Sequence, residues 1–464
     1  MMLILVIYPS DFSEKFHDTS EPTENALVSH WALSAFEALA WGSNADHLVK
    51  TISPFSIFTR WYKIHKMPHF RSRHLTSLLN KTSNFSPLVG ILGHRQVGKT
   101  TLATEVSERY LTFDDPAQLN MAQQDPKHFL QSHSGRGICT LDECQMVPEL
   151  FPALKEWVRV HQKPGQFLLT GSVRFSSRKQ IRESLTGRII TWELLPMDLS
   201  EAHDSKLPNT LPQLLASRSL DLPLKACSYF THQTFDQALK KGGLPGIFSV
   251  RDASIRSQRF ESMLSTLLER DLRLVLQTTL GLSSLRALIM NLALHQTRPI
   301  EWASLSRITR ISVPTLKKVI QAFEALFLIR LIRTEGTEQK PVLFLEDQGE
   351  ATYLAGDRYD AHTQLLRFLY ANLRHQLHYR PELCGEIFQF RNRGGACVPL
   401  CFRVGKSVLG ILPSLTENPP VESLATARSF LKTYSGSKLL YVHSFEGDRL
   451  IEPRIRSLGW RYLV

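Results

Sequence analysis

Gly93-His94-Arg95-Gln96-Val97-Gly98-Lys99-Thr100, followed by Thr101-Leu102, decides the reading of this chain. A glycine, four residues and then Gly-Lys-Thr is the spacing of a phosphate-binding loop. The flanks agree. Leu88-Val89-Gly90-Ile91-Leu92 reads as a short buried strand, and Lys99 to Arg109 reads as a helix. Strand, glycine loop and helix together aim several backbone N–H groups at phosphate oxygens at a helix N-terminus. Gly93 and Gly98 leave space for the turn and for close approach of a phosphate. The expected nucleotide-binding set is therefore Gly93, His94, Arg95, Gln96, Val97, Gly98, Lys99, Thr100 and Thr101. Lys99 would neutralise the β- and γ-phosphates, and the Thr100 hydroxyl would ligate magnesium. A glycine-bearing turn with an exposed lysine is the bland alternative, and the strand–helix context weighs against it.

Downstream, Tyr110-Leu111-Thr112-Phe113 predicts a strand, and Asp114-Asp115-Pro116 signals the start of a helix. Gly137-Ile138-Cys139-Thr140-Leu141-Asp142-Glu143 is an apolar strand ending in two carboxylates. Asp142 would hold magnesium opposite Thr100, and Glu143 would orient the attacking water. Such a Leu-Asp-Glu run is weak alone and gains force at this distance from a phosphate loop. Pro148 to His161 reads as a helix, and Gln166 to Ser172 as a buried strand ending in hydroxyls. In a doubly wound sheet strand ends face the ligand, so Thr170 or Ser172 could sense the γ-phosphate. Arg182 to Gly187 would close a helix, leaving Arg188 before a strand from Ile189 to Leu194. Arg188 could reach the γ-phosphate of a neighbouring subunit, or pair with a carboxylate.

These motifs occur together with Asp142-Glu143-Cys144-Gln145, Leu169-Thr170-Gly171-Ser172, Leu195-Pro196-Met197-Asp198-Leu199-Ser200-Glu201 and Gly242-Gly243-Leu244-Pro245. In that combination the chain resembles prokaryotic AAA-type ATP-binding proteins that carry a C-terminal domain of unknown function. The resemblance covers most of the chain from Met67 onward. It implies a nucleotide fold of AAA type with ATP and Mg2+ as ligands, and it implies no defined substrate.

A chain of 464 residues with 43% hydrophobic and 21% charged residues can bury a core and suggests about three domains. Net charge of +12 and a pI near 9.4 favour nucleic acid or an acidic partner without requiring either. The six cysteines form no Cys-x-x-Cys pair and read as reduced structural thiols of a cytoplasmic protein. No apolar run approaches the ~18 to 20 residues that span a bilayer, so no membrane partner is expected.

Residues 1–66 carry no motif beyond a short amphipathic pattern over His30 to Trp41. They are expected to be a disordered extension, or to precede a true start at Met67. From Met67 to Asn84, Arg71, Arg73, His74 and Lys81 alternate with leucines, as in a basic amphipathic helix that packs beside the nucleotide base or covers the sheet edge. The expected fold class is α/β, a doubly wound parallel-sheet P-loop NTPase core over 67–201. A helical lid or connector follows over 202–282, with residues 202–225 as a proline-bearing insertion. In the helix expected over Phe260 to Leu276, Glu269-Arg270-Asp271 reads either as part of a lid helix that reports nucleotide state or, preferred, as solvated charge on ordinary helix packing.

Residues 283–346 have the rhythm of a winged helix. Ser312 caps a helix, Pro314 suits its first turn, and Phe327–Arg333 and Val342–Leu345 supply wing strands about a Gly336 turn. Arg307, Arg310, Lys317 and Lys318 stand where such a domain meets phosphates, although winged helices also serve as spacers. Residues 347–464 resemble, in outline, a degenerate restriction-nuclease-like α+β domain. Pro399, Ile411 and Pro413 occupy the positions where that resemblance implies metal-binding and catalytic groups, so nuclease activity is not expected. The expected function is an ATPase that drives or switches an unknown task, with a homo-oligomer allowed. The alternative is a nucleotide-regulated DNA-binding or adaptor protein with slow hydrolysis.

Overall fold

The computed structural model describes residues 71–464 except 136, 176–184, 186 and 337–339. The extension to residue 66, the pattern over His30 to Trp41 and most of the segment expected to end at Gly187 lie outside the described residues. The described chain is a single compact unit.

Its first layer is a five-stranded sheet of β1 (Leu88–Gly93), β2 (Arg109–Thr112), β3 (Cys139–Asp142), β4 (Phe167–Gly171) and β5 (Ile189–Leu194). All neighbours are parallel, in the order β2-β3-β4-β1-β5. The strands are short apolar runs because helices cover both faces. Leu88, Leu92, Leu141 and Leu169 pack against Leu150, Phe151 and Leu154 on one face. Val89, Ile91 and Leu168 pack against Leu75, Leu79 and Leu102 on the other. The helix after the phosphate loop is Lys99–Val106, shorter than expected. Ser107 is already extended, and Arg109 begins β2.

The helix expected over Phe260 to Leu276 is interrupted. Ala253–Thr266 runs into a π-turn at Leu267–Asp271 before Leu272–Val275 resumes. A π-turn inserts one residue per turn and re-aims the side chains near it. The solvated-charge reading fails for Asp271, which is 1% exposed.

Helices Leu282–Leu294, Trp302–Thr309 and Val313–Ala325 follow, then β6 (Ile329–Ile332) and β8 (Val342–Leu345) in an antiparallel ribbon. The Ser312 hydroxyl accepts from the N–H of Thr315, and Pro314 lies in the first turn. That cap is worth about 1 kcal/mol. Gly336 is not the tip of a free turn between the ribbon strands. It belongs to β7 (Thr334–Gly336), which leaves the ribbon and pairs in parallel with β9 (Glu386–Arg391) of the last sheet.

That last sheet has seven strands, in the order β13-β14-β12-β11-β10-β9-β7. Its remaining strands are β10 (Cys397–Val404), β11 (Ser407–Pro413), β12 (Lys438–His443), β13 (Asp448–Glu452) and β14 (Ile455–Gly459). Register shifts between Val398 and Cys401, the stretch that contains Pro399. Proline has no N–H to give a ladder, so a bulge is where it fits. The segment read as an insertion or lid packs on this sheet instead. Leu211, Leu214, Leu215 and Phe235 share a core with Leu400, Phe402, Ile411 and Trp460.

Ala361–His378 joins the two halves and is buried over most of its length. Several of its polar side chains bond the backbone at the end of β5 and in the segment after it. Asn372 accepts from the Leu199 N–H at 2.9 Å, and His375 Nε2 donates to the Pro196 carbonyl at 2.9 Å. Gln376 accepts from the Leu211 N–H at 2.8 Å, and His378 Nε2 donates to the Glu193 carbonyl at 2.8 Å. Each such bond contributes about 1 kcal/mol, and leaving either partner buried alone would cost more. Among the described residues no helix is long and apolar enough to cross a membrane.

Candidate functional site

The phosphate loop leaves the carboxyl end of β1 and enters the Lys99–Val106 helix. Gly98 has φ of +97°, a left-handed conformation that favours glycine. A Cβ on Gly93 would stand 2.5 Å from the Leu194 carbonyl oxygen of β5, so that position also requires glycine. Lys99 is buried, and its ammonium donates to the carbonyls of Gly93 at 3.1 Å and His94 at 2.9 Å. Burial pushes its pKa down, against the opposing pull of Glu143 and Asp142. The loop thus holds a positive charge in a poorly solvated place, where it interacts strongly with anions.

Asp142, at the end of β3, is 3% exposed and collects donors from three elements. Thr100 Oγ1 donates to Oδ2 at 2.8 Å, joining the loop helix to β3 across the intervening strand β4. The Tyr110 hydroxyl also donates to Oδ2, and the Thr170 hydroxyl donates to Oδ1. Burial raises the Tyr110 pKa, helped by the Asp142 charge, so the phenol stays a donor. Hydroxyl and carboxylate are hard oxygen ligands, and their meeting here fits the chemistry of magnesium.

Glu143 has φ of +56°, a left-handed conformation for a non-glycine residue at the head of a short turn over Cys144–Met146. Its N–H donates to Asp142 Oδ1 at 3.1 Å. Its carboxylate accepts from the Gln145 amide, and from Ser172 Oγ at 3.5 Å. Backbone conformations of this kind cost about 1–3 kcal/mol and persist where surrounding contacts fix them. Thr170 and Ser172, alternatives for one role in the sequence, therefore separate: Thr170 serves Asp142 and Ser172 stands beside Glu143. Cys144 donates its thiol to the Thr170 carbonyl at 3.0 Å, and burial pushes its pKa up, so it is a packing residue.

Residues from the following domain close on the loop. Arg95 Nη1 lies 3.0 Å from Asp271 Oδ2, while Arg270 Nε lies 2.9 Å from Oδ1. The π-turn is what brings Asp271 to this place. His94 Nε2 is 3.2 Å from Glu350 Oε2, both side chains fully buried. The contact is an ion pair rather than an aligned hydrogen bond. Burial alone would lower the His94 pKa, but the Glu350 charge and hydrogen bonding outweigh it and the net shift is upward. Asp347 caps the helix that carries Glu350 and accepts from the Gly243 N–H at 2.6 Å, which ties in the Gly-Gly-Leu-Pro motif. From the other side Arg73, in a segment expected to pack beside the nucleotide base or to cover the sheet edge, donates to the Val97 carbonyl at 2.7 Å and pairs with Glu201 at 3.0 Å.

Arg188 is not in this chain's own site. β5 runs parallel to β1 with Ile189 beside Leu88 and Leu194 beside Gly93, so Arg188 stands at the opposite end of the sheet. Five strand residues separate those ends by roughly 17 Å. Arg307, Arg310, Lys317 and Lys318 are all exposed, and Lys317 lies 5.6 Å from the centre of the Trp302 ring. Sequence reading missed Tyr110, Gln145, Asp271 and Glu350 as parts of the site. Gln145 and Asp271 lay in quoted motifs, whereas Glu350 had no local signal.

Comparison with known proteins adds the family context. Residues 86–203 match a model described as an AAA domain, and residues 232–357 match a domain of unknown function. Two uncharacterized proteins, from Mycobacterium tuberculosis and Mycobacterium bovis, are each 26% identical over 293 residues. The alignment covers 61% of this chain and 59% of each relative, less than two thirds of their length. Among solved structures, a Walker-type ATPase of Pyrococcus abyssi matches at 14% identity and TM-score 0.36, over 60% of this chain and 94% of that one.

Proposed function

We propose, from the premise that this chain carries an AAA-type P-loop ATPase domain followed by a domain of unknown function, that it binds Mg-ATP and hydrolyses it. The energy would drive or switch a conformational task in the segments after β5. The observation that carries this reading is Asp142, which meets Thr100 at 2.8 Å with Glu143 beside it. In this reading the loop N–H groups and Lys99 hold the β- and γ-phosphates. Thr100 and Asp142 hold magnesium, which when bound neutralises charge on the phosphate oxygens. Glu143 orients water and accepts its proton, while Gln145 and Ser172 fix the carboxylate. Arg188 serves the site of a neighbouring copy, since its own site is at the far end of the sheet.

A second reading has its own observation: Arg307, Lys317 and Lys318 on the two helices that precede the ribbon, and Arg310 between those helices, are exposed, as in a winged helix that meets DNA. In it nucleotide regulates binding and hydrolysis is slow. The terminal domain, with Pro399, Ile411 and Pro413 in its strands, is a binding or assembly element rather than a nuclease. Phosphate release from Mg-ATP, with and without duplex DNA, tests both readings. Magnesium-dependent release that is lost in Asp142→Asn supports the first. Duplex binding that weakens with salt, and falls when Lys317→Ala and Lys318→Ala are combined, supports the second. Duplex affinity unchanged in that double variant removes those lysines from any interface.

A further inference from the structure

Tyr110 lies on β2, the edge strand beside β3, and stands in register with Thr140, two residues before Asp142. Tyr110 and Thr112 face the same side of the strand, and Thr112 is the residue opposite Asp142. Two residues of strand rise about 6.6 Å, a span that a tyrosine side chain covers. The phenol therefore runs along the sheet and ends level with the Asp142 carboxylate. Asp142 accepts four hydrogen bonds there, and they divide by origin. Oδ2 takes the Tyr110 hydroxyl from β2, and Oδ1 takes the Thr170 hydroxyl from β4. The strands on either side of β3 thus each grip one oxygen. The Glu143 N–H adds a bond to Oδ1 at 3.1 Å, from the turn that follows β3. Only the fourth donor, Thr100 Oγ1 at 2.8 Å from Oδ2, belongs to the loop helix.

That Thr100 oxygen is also the one read as a magnesium ligand, so its bond to Oδ2 is the one disturbed when a cation enters. Oδ2 then keeps the Tyr110 hydroxyl, which approaches from the edge strand and not from the loop. Asp142 is 3% exposed, so few waters can take the place of a lost donor. Partners behind a ligating carboxylate fix its orientation, and their loss weakens metal binding although they never touch the metal. We infer that Tyr110 is a positioning residue of the magnesium site, whose hydroxyl holds the Asp142 carboxylate in the orientation it shares with Thr100. That role rests on the proposed reading of Thr100 and Asp142 as the magnesium-holding pair.

Equilibrium binding of fluorescent ADP by the full chain, followed through a magnesium titration that starts in EDTA, tests the role without turnover. Wild-type affinity is expected to tighten as magnesium is added. In Tyr110→Phe, which keeps the ring, the affinity in EDTA should match the wild type. The magnesium needed for half of the tightening should rise about 10- to 100-fold. Tyr110→Leu, which lacks the hydroxyl in a different shape, should shift that midpoint the same way, and melting temperatures confirm that each variant is folded. A wild-type midpoint in both folded variants overturns the inference. So does an equal loss of affinity with and without magnesium, which would make the phenol a support of the loop's fold. Wild-type binding that magnesium leaves unchanged is a separate result: it removes the magnesium-holding pair itself, and the role of Tyr110 falls with it.

Discussion

Glu143→Gln is expected to leave Mg-ATP affinity near that of the wild type and to lower turnover by about 10²- to 10⁴-fold. Glutamine keeps the size of the side chain and can still meet Ser172, but it cannot take a proton from water. The phosphate-holding groups, Lys99 and Thr100, are untouched by the change. Binding by fluorescent nucleotide titration and turnover by phosphate release separate the two effects. A fall in affinity that matches the fall in turnover would mean that Glu143 supports the fold of the site rather than the reaction. The left-handed backbone at Glu143 makes this a real alternative, because contacts around the carboxylate help to hold that turn.

The second large effect is on stability. Glu350→Ala is expected to destabilise the protein by about 3–5 kcal/mol, because it leaves His94 buried without its carboxylate. Chemical denaturation checks the size. The effect also has a pH signature. His94 binds its proton more tightly folded than unfolded, since the Glu350 charge outweighs the opposing burial. A raised folded pKa contributes stability that is full below the unfolded value, about 6.5, and is lost as pH rises through the folded value. The stability gap between wild type and Glu350→Gln should therefore be widest below about pH 6.5 and narrow above it. Asp347, whose pKa is raised by burial, faces the same histidine, so the comparison between variants is the informative quantity. A gap that widens with rising pH would contradict a charged His94.

The nucleotide half was largely legible in the sequence because its signals are local. Loop spacing, the apolar run before Asp142 and the hydroxyls after β4 each sit within a few residues of the group they position. Even there the sequence placed Thr170 and Ser172 in one role, and only the register of β3 beside β4 separates them. Asp271 was misread because a continuous helical pattern hides a π-turn, and the turn decides which way the carboxylate points. Glu350 was invisible because its partner lies 256 positions earlier in the chain, and an ordinary helix start gives no hint of it. The residues at 202–225 read as a lid from their prolines, yet their leucines complete the core of the last sheet. Buried asparagine, histidine and glutamine on Ala361–His378 make sense only beside the carbonyls and N–H groups that they satisfy.

In the proposed function Gly93–Thr101 is a nucleotide site that depends on the buried Lys99 charge. Equilibrium titration of the wild type and Lys99→Ala with ATP in the presence of magnesium tests it most directly. Saturable binding by the wild type and its loss in Lys99→Ala are expected, with the fold of the variant intact by circular dichroism. Absence of ATP binding by folded wild-type protein, or equal binding by the two proteins, would contradict it.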